Sequence, residues 1–365
     1  MIEISALDLH YLIKEMQFLS GARVDKISQP EKETVVFQFY AKGKEKQILK
    51  IALPNLFYLA EKKPEAAEKL FGFCSALRKY LSNAKLAKIE QLNSERIAKL
   101  LFIAKEAEYI LFVELFAKGN IILCKKDFSI IVPLRTSKFK DREIKAGVKY
   151  TFPEKEINFF DISAKNLNKY KKQQKQTISK LIAVELGFGG QYSKEICKLS
   201  NIGLSEKSLN DGQVNTLIKS IKSITSKKVN PFAVYSDSRI NAVPFELEIY
   251  KDMKKEKKKS FNSAVEFAAK AGKAKKITKS QKELERLKKI IKLQEEQINE
   301  MEKTATESQK KGELIYEKYQ LLNEILEEIR KARKKYSWKE IKSKLKGHKL
   351  IKEINEKNGE IVLEV

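Results

Sequence analysis

The chain has 365 residues, and its 74 lysines and arginines against 48 acidic residues give a net charge of +26 at pH 7. This length suggests about two or three structural units, and a hydrophobic fraction of 42% is enough for a packed core. The excess positive charge favours a polyanion over a small neutral substrate as the main partner. Three scattered cysteines and two histidines fit neither a disulfide framework, a metal site nor a serine-type triad.

No apolar run approaches the ~18 residues that span a bilayer. The first ten residues, MIEISALDLH, are acidic where a signal peptide is basic. The sequence therefore predicts a soluble, basic, cytoplasmic protein with no membrane partner, no metal and no cofactor.

A capped helix is predicted at the start of the chain. Ser5 can be its N-cap, and Asp8 three residues later favours the helix N-terminus. Gly21 can adopt the left-handed conformation that ends a helix. One apolar face lies between them, made by Leu9, Leu12, Ile13, Met16 and Leu19.

Short β-type runs follow, separated by compact polar turns of the kind that join antiparallel strands. The runs cover residues 22–29, 34–40, 47–53, 56–60, 109–116, 120–124 and 129–135. A second helix is predicted between them, with Pro64 at its first position. Its apolar stripe is Leu70, Phe73, Leu77 and Leu81. Together these elements predict a mixed α+β domain over residues 1–160.

A lysine-rich segment follows that domain. Residues 162–184 contain six lysines and no acidic residue, and two short helical patterns joined by Gly187-Phe188-Gly189-Gly190 come next. Glycines at such a turn permit positive φ and close backbone approach, so the second helix can offer N–H groups to a phosphate. This spacing is typical of a helix–hairpin–helix over residues 161–230. Glycines that only cap and turn a helix pair are the alternative.

A long helical arm is predicted after a second basic stretch at 251–259. Residues 231–260 are expected to return and pack on the first domain, and residues 261–335 to form the arm. Its coiled-coil seam steps by three and four residues through Leu284, Leu287, Ile291, Gln294, Ile298 and Met301. The rhythm resumes at Ile315 after a break predicted near 304–312.

The C-terminal residues are strongly basic. Eleven basic residues and one acid lie between Arg330 and Lys352. Residues 336–365 are predicted to form a basic helix and a terminal strand, EIVLEV, that closes no visible unit.

Two charged groups stand out in the strand-rich domain, Glu95-Arg96 and Asp141-Arg142-Glu143. Their ordinary interpretation is exposed ion pairs at strand edges, each contributing little. Glu114 differs because it lies within an apolar run. Its carboxylate is expected either on the wet face of an alternating strand or buried against a cation such as Arg96.

Nine sequence blocks share one order with a known family. They are SALDL, GARVDKISQP, FCSALRKYL, QLNSERI, VELFAKGNIIL, REIKAGVKYTFP, ELGFGGQYSKEIC, FNSAVEF and GELIYEKYQLLNEIL. In this order they resemble the NFACT family, which includes bacterial and archaeal RqcH, eukaryotic NEMF and proteins long labelled fibronectin-binding A. The resemblance implies an α+β fold: an NFACT-N domain like the N-terminal domain of formamidopyrimidine-DNA glycosylases, a helix–hairpin–helix, and the start of a coiled-coil middle domain, incomplete at 336–365.

The resemblance also implies a function without enzymatic catalysis. Family members bind the large ribosomal subunit obstructed by a peptidyl-tRNA and recruit charged tRNA, so that the stalled chain is extended without mRNA. In bacterial and archaeal members the added residue is mainly alanine. The implied partners are therefore large-subunit rRNA and tRNA.

The residues to which the resemblance assigns tRNA contact are Glu95, Arg96, Glu114, Leu115, Phe116 and Asn120. The family has Asp where this chain has Glu95, which keeps the charge but moves it by about one methylene. Basic and glycine residues expected to contact RNA phosphates are Lys26, Arg78, Lys165, Lys169, Lys171, Lys172, Gly187, Gly189 and Gly190.

The chain also departs from the family pattern. A full member continues through the returning half of the coiled coil into an NFACT-R domain. The sequence is therefore expected to be a fragment or half of a split protein, completed by a second polypeptide that carries the missing coiled-coil half and NFACT-R domain.

Two other functional classes fit the sequence less well. A DNA glycosylase needs an N-terminal proline amine and usually a zinc finger, whereas here Ile2 follows Met1 and the cysteines are scattered. A fibronectin-binding adhesin needs surface exposure, and a charge of +26 alone can cause adhesion in vitro.

Overall fold

A computed structural model describes residues 2–364 apart from 42, 44, 63–70, 106, 140–141, 154–156, 237–238, 347, 349 and 356–357. The side chains of 273–282 and 285 are also outside the description. The predicted helix start at Pro64, with Leu70, and the charged residue Asp141 fall among the residues that are not described. The chain divides into two compact units, Met1–Ile277 and Thr278–Val365. The five predicted domain ranges stay predictions.

A nine-stranded antiparallel sheet dominates the first unit, with strand order β4-β3-β2-β1-β5-β6-β7-β8-β9. Its strands are β1 (Arg23–Glu31), β2 (Thr34–Tyr40), β3 (Gln47–Ala52), β4 (Leu56–Ala60), β5 (Lys85–Gln91), β6 (Ile97–Ile103), β7 (Glu108–Glu114), β8 (Asn120–Lys125) and β9 (Ile130–Pro133). The predicted strand runs all coincide with strands of this sheet. The mixed α+β class predicted from the sequence is confirmed.

Helix α1 (Ala6–Met16) begins as its sequence predicts. Ser5 and Asp8 form a capping box, in which the Ser5 hydroxyl accepts from the Asp8 N–H and the Asp8 carboxylate accepts from the Ser5 N–H. The predicted end at Gly21 is wrong in detail. The helix ends at Met16 and a 3₁₀ turn, Gln17–Leu19, brings the chain to Gly21, which has φ +93°. This tighter turn places Leu19 in the core.

Two hydrophobic cores lie on opposite sides of strands β6 to β8. The larger contains α1, α2 (Gly72–Leu81) and alternate residues of the sheet, such as Leu100 and Leu111. The smaller core contains the intervening residues of these strands, such as Ile110 and Phe112. Tyr150 and the short strand pair β10 (Ser137–Lys138) and β11 (Glu143–Ile144) cover this second face. Strand β7 from Ile110 to Glu114 and strand β8 from Asn120 to Cys124 are therefore buried on both faces.

The helical part of the first unit contains α3 (Ala164–Leu167), α4 (Ile178–Val184), α5 (Gly189–Leu199) and α6 (Asp211–Ser226). A three-stranded sheet, in the order β13-β12-β14, follows with β12 (Phe232–Ser236), β13 (Arg239–Val243) and β14 (Lys255–Lys257). Helices α4 and α5 flank the glycine turn where two short helices were predicted. Their assignment as a helix–hairpin–helix stays a prediction.

The long helix α7 runs from Phe261 to Glu317. The break predicted near 304–312 is wrong, because the helix continues and the break lies at Lys318, before α8 (Tyr319–Arg333). Within the predicted break, the Thr304 and Thr306 hydroxyls donate to the carbonyls of Glu300 and Glu302 at 2.9 and 2.7 Å. A single interior glycine, Gly312, costs a helix only about 1 kcal/mol.

The C-terminal strand is not isolated, contrary to its prediction. It forms β16 (Glu360–Leu363), which pairs antiparallel with β15 (Ile351–Asn355) next to helix α9 (Trp338–Lys344). A Cβ added at Gly359 would lie 3.3 Å from the Trp338 ring. The sequence pattern missed β15 because two consecutive exposed residues, Lys352 and Glu353, interrupt the alternation of apolar and polar residues.

Candidate nucleic-acid interface

Arg96 is held by its backbone at the turn between β5 and β6. Its carbonyl accepts a 2.8 Å hydrogen bond from the Leu115 N–H, and the preceding carbonyl, of Glu95, accepts one of 2.8 Å from the Gln91 side chain. The Arg96 guanidinium donates to the Glu3 carboxylate and, at 3.4 Å, to the Ile4 carbonyl. Glu3 is 57% exposed, so its ion pair with Arg96 faces solvent.

The glycine turn between α4 and α5 packs against the start of α1. Gly187 and Gly189 have φ of +79° and +73°, a conformation that favours glycine. The Gly187 carbonyl accepts a 3.1 Å hydrogen bond from the Ala6 N–H. A Cβ added at Gly189 would lie 3.3 Å from the Ser5 Cβ. The turn therefore needs glycine for its conformation and for its contact with α1.

Asp8 joins α1 to α5 in the protein interior. Its carboxylate accepts hydrogen bonds from the Tyr192 hydroxyl and from the Ser5 hydroxyl, and the Asp8 side chain is buried. Burial raises the pKa of Asp8 from 3.8 to about 6, and the hydrogen bonds from Tyr192 and Ser5 oppose this rise. Burial, together with the contact with Asp8, raises the pKa of Tyr192.

Arg96, the glycine turn and Asp8 line one cavity of about 680 Å³. Arg96, Lys194 on α5 and Arg239 at the start of β13 give it three cations. Among the residues that the structure describes, Glu3 and Asp8 are its acidic groups. Its remaining lining includes the glycine turn, from Gly187 to Gly190, and apolar residues of α7, Phe261 and Val265. The volume lies in the range of ligand sites, about 300–1,000 Å³.

Glu114 is buried, but its partner is Arg142 and not Arg96. Arg142 Nη1 lies 2.5 Å from Glu114 Oε1, Arg142 Nη2 lies 3.3 Å from Oε2, and the Tyr150 hydroxyl donates to Oε1 at 2.8 Å. The interpretation of Arg142 as an exposed edge charge is wrong, because its side chain is 8% exposed. The guanidinium also lies 4.9 Å from the centre of the Phe139 ring and 5.7 Å from that of Phe116. Burial, together with the contact with Glu114, raises the pKa of Tyr150.

The other residues assigned to tRNA contact lie mainly in the interior. Leu115 is fully buried and Phe116 is half-buried. The Asn120 amide donates to the Arg135 carbonyl at 2.8 Å and accepts from the Arg135 N–H at 3.1 Å. Of the six residues, Arg96 is the one whose side chain lines the cavity.

The predicted phosphate contacts are dispersed over the first unit. Lys26 is exposed on β1, whereas the Arg78 Nε donates to the Ile27 carbonyl at 2.8 Å. Lys165 and Lys172 are exposed. Lys169 and Lys171 form surface ion pairs with Glu185 at 3.4 Å and Asp211 at 2.5 Å.

Lys194 and Arg239 were not predicted from the sequence as site residues. Each lies in a segment of mixed composition with no basic run. Their place in the cavity follows from the tertiary packing of α5, which contacts α4 and α6, and of β13. No local sequence pattern shows this packing.

No metal or membrane element is visible in the part of the chain that the structure describes. It contains no group of three or more histidine, cysteine, aspartate or glutamate side chains able to hold a metal ion. Its helices include none that combines the length and apolarity needed to cross a bilayer. The three cysteines are buried and free.

Two solved structures share the fold. The N-terminal part of a fibronectin/fibrinogen-binding protein from Streptococcus suis superposes with a TM-score of 0.60 at 20% identity, covering 73% of this chain and 99% of that one. A fibrinogen-binding protein from Staphylococcus aureus gives a TM-score of 0.58 at 19% identity, covering 72% of this chain and 97% of that one.

Curated relatives extend the comparison. The archaeal Rqc2 homolog aRqcH of Methanocaldococcus jannaschii is 32% identical, over 99% of this chain and 58% of that protein. The Rqc2 homolog RqcH of Streptococcus pneumoniae is 26% identical, over 84% of this chain and 56% of that protein. The chain thus spans a little more than half the length of these two relatives. The family model for NFACT N-terminal and middle domains matches residues 5–357, and the chain therefore belongs to the NFACT family.

Proposed function

We propose that this chain is a ribosome quality control factor that binds rRNA of the obstructed large subunit and recruits tRNA, of the alanine type, for C-terminal tailing without mRNA. Its role is positional and not enzymatic: basic surfaces hold RNA phosphates in place. Relatives named Rqc2 and RqcH support the ribosomal role. The structural neighbours named for fibronectin or fibrinogen binding are at most 20% identical, so they bear on the fold and not on the ligand.

The observation that carries the proposal is the cavity around Arg96. It collects three cations from distant parts of the sequence beside the glycine turn at the N-terminus of α5. A guanidinium binds phosphate strongly because it can donate two parallel hydrogen bonds. Glu3 competes only weakly with a phosphate for Arg96, since exposed ion pairs contribute only about 0–1 kcal/mol. Arg96 can therefore exchange Glu3 for an RNA phosphate at little cost.

The test is tRNA association of an Arg96→Ala variant. We expect tRNA recovery in a pull-down to fall about tenfold or more, which corresponds to losing one charged hydrogen-bonded contact. The thermal unfolding temperature should stay unchanged, because the ion pair lost faces solvent. Arg23→Ala is the matched control: Arg23 is exposed on β1 and donates to the Asn83 carbonyl. Equal tRNA recovery by the two variants would refute the role of Arg96.

A second variant separates competition from structure. Glu3→Ala frees the Arg96 guanidinium, so tRNA recovery should rise or stay constant. A fall in recovery with Glu3→Ala would mean that Glu3 itself holds the site in shape, and that the ion pair does not simply compete with phosphate.

A further inference from the structure

Asn241 on β13 is a buried polar residue in the wall of the cavity around Arg96. It is 7% exposed, and its backbone pairs with Val234 of β12. Neither the nitrogen nor the oxygen of its side-chain amide has a hydrogen-bond partner among the residues that the structure describes. Buried polar side chains almost always have such a partner. An unpaired amide in a cavity wall therefore marks a group that is available to a ligand.

The same strand brings a cation to this wall. Arg239 lies two residues before Asn241 on β13, so the two side chains are on the same face of the strand, and both line the cavity. Arg239 and Lys194 are exposed, and neither has a carboxylate partner in the described part of the chain. These two cations are therefore free to bind a phosphate, whereas Arg96 must first release Glu3.

The cavity also includes the beginning of α5. This helix starts at Gly189 with no side-chain cap, so the N–H groups of its first turn are open to an acceptor. A helix N-terminus attracts phosphate through these N–H groups and through the positive end of its dipole. Together with the cations, it gives the cavity several donors for phosphate oxygens.

Apolar side chains complete the lining. They include Ile4, Ile249 and Val265, and the half-buried ring of Tyr250 lies beside them. A flat heterocycle packs well against such walls while its edge makes hydrogen bonds. An asparagine amide presents one donor next to one acceptor, which is the pattern that pairs with the edge of a nucleobase.

We propose that the cavity takes one unstacked nucleotide of the bound RNA, and that Asn241 pairs with the edge of its base. The free cations and the start of α5 hold the adjoining phosphates. The proposal rests on the proposed function, since it names the part of the RNA that enters the site. An acidic side chain of a peptide fits less well, because a carboxylate has no donor for the Asn241 carbonyl.

The test is the binding of single nucleotides to the nucleic-acid-free full chain, measured by isothermal titration calorimetry. The probes are the 5′-monophosphates of adenosine, cytidine, guanosine and uridine, together with ribose 5-phosphate, which has no base. Each nucleotide should bind the wild-type chain about tenfold or more tightly than ribose 5-phosphate does. Asn241→Leu should abolish most of this advantage, because the hydrogen bonds to the base are lost. Its affinity for ribose 5-phosphate should stay within about twofold of the wild-type value.

Asn241→Asp should change which base is preferred. A carboxylate only accepts hydrogen bonds, and guanine is the base whose pairing edge carries two adjacent N–H donors. The affinity for guanosine monophosphate relative to adenosine monophosphate should therefore rise about tenfold. Asn215→Asp is the matched control: it makes the same change at an exposed position of α6 and should leave this ratio unchanged.

Two results would overturn the proposal. One is a wild-type chain that binds adenosine monophosphate no more tightly than ribose 5-phosphate, and the other is an Asn241→Leu variant that keeps the full advantage of the base. If Asn241→Asp does not fold, as its melting curve would show, the comparison with Asn241→Leu still decides. Neither result touches the proposed function, whose failure would appear instead as equal tRNA recovery by Arg96→Ala and Arg23→Ala.

Discussion

Glu114 and Arg142 face each other in the smaller core, where two hydrogen bonds of 2.5 and 3.3 Å join carboxylate to guanidinium. The two side chains are only 3% and 8% exposed. A charge that loses its partner in such surroundings has no water to replace it. The pair therefore ties the end of β7 to the segment that covers the second face of the sheet.

Replacing Arg142 by leucine should lower the free energy of unfolding by about 3–5 kcal/mol, because it leaves the Glu114 carboxylate buried and unpaired. Urea unfolding followed by circular dichroism measures the change. Lys126→Leu is the control: Lys126 is 75% exposed and pairs with Glu108 at the surface, so its loss should stay below about 1 kcal/mol. Similar losses in the two variants would contradict the buried-pair account.

Asp8 should make the first unit less stable as the pH rises from about 4 to 6. Its pKa is about 6 in the folded chain against 3.8 as the reference value. Within this pH window Asp8 keeps its proton in the folded state and has lost it in the unfolded state. Raising the pH through the window therefore lowers the free energy of unfolding by up to about 3 kcal/mol.

The Asp8→Asn variant should lose this part of the pH dependence. Urea unfolding at several pH values between 4 and 7 gives the slope for each protein. Asp25→Asn, at an exposed carboxylate on β1, should keep the wild-type slope. An unchanged slope in Asp8→Asn would show that other groups govern stability in this range.

Two adjacent glycines should respond differently to alanine. Gly189 has φ +73° and its added Cβ would approach the Ser5 Cβ, whereas a Cβ at Gly190 meets no atom within 4 Å. Gly189→Ala should destabilise the chain by about 1–2 kcal/mol, and Gly190→Ala should change stability by no more than about 1 kcal/mol. Thermal denaturation of the pair tests this, and equal melting temperatures would disprove it.

Binding to large ribosomal subunits should depend steeply on salt. A chain that neutralises several phosphates releases counterions, so affinity should fall at least about a hundredfold between roughly 50 and 200 mM salt. Co-sedimentation at constant magnesium gives the dependence. A flat response would mean that apolar contacts, and not the surplus cations, hold the chain on the particle.

Local signals in the sequence predicted local structure well. The Ser5 cap is decided by residues three positions apart, and the strands of the large sheet follow from alternating apolar residues and short polar turns. The end of α1 and the break in α7 were placed wrongly. In α1 a 3₁₀ turn replaces the last predicted helical turn, and in α7 the threonine hydroxyls bond back to the helix carbonyls.

Long-range partners were beyond the sequence pattern. A buried Glu114 was expected to face a cation such as Arg96, and the cation that it meets is Arg142, 28 positions along the chain. Lys194 and Arg239 join Arg96 in the cavity through the packing of distant elements. Such neighbours depend on how distant segments pack together. The spacing of residues within one segment carries no information about that packing.

The burial of β7 on both faces constrains how this region can vary. Its residues from Ile110 to Glu114 are all buried, whereas β5 alternates between buried and accessible positions. A saturation library should accept polar replacements at every second or third site of β5 but at no site from Ile110 to Val113. Substitution at these four sites is thereby restricted to apolar residues of similar volume, which makes this strand a dependable reference for aligning remote homologues.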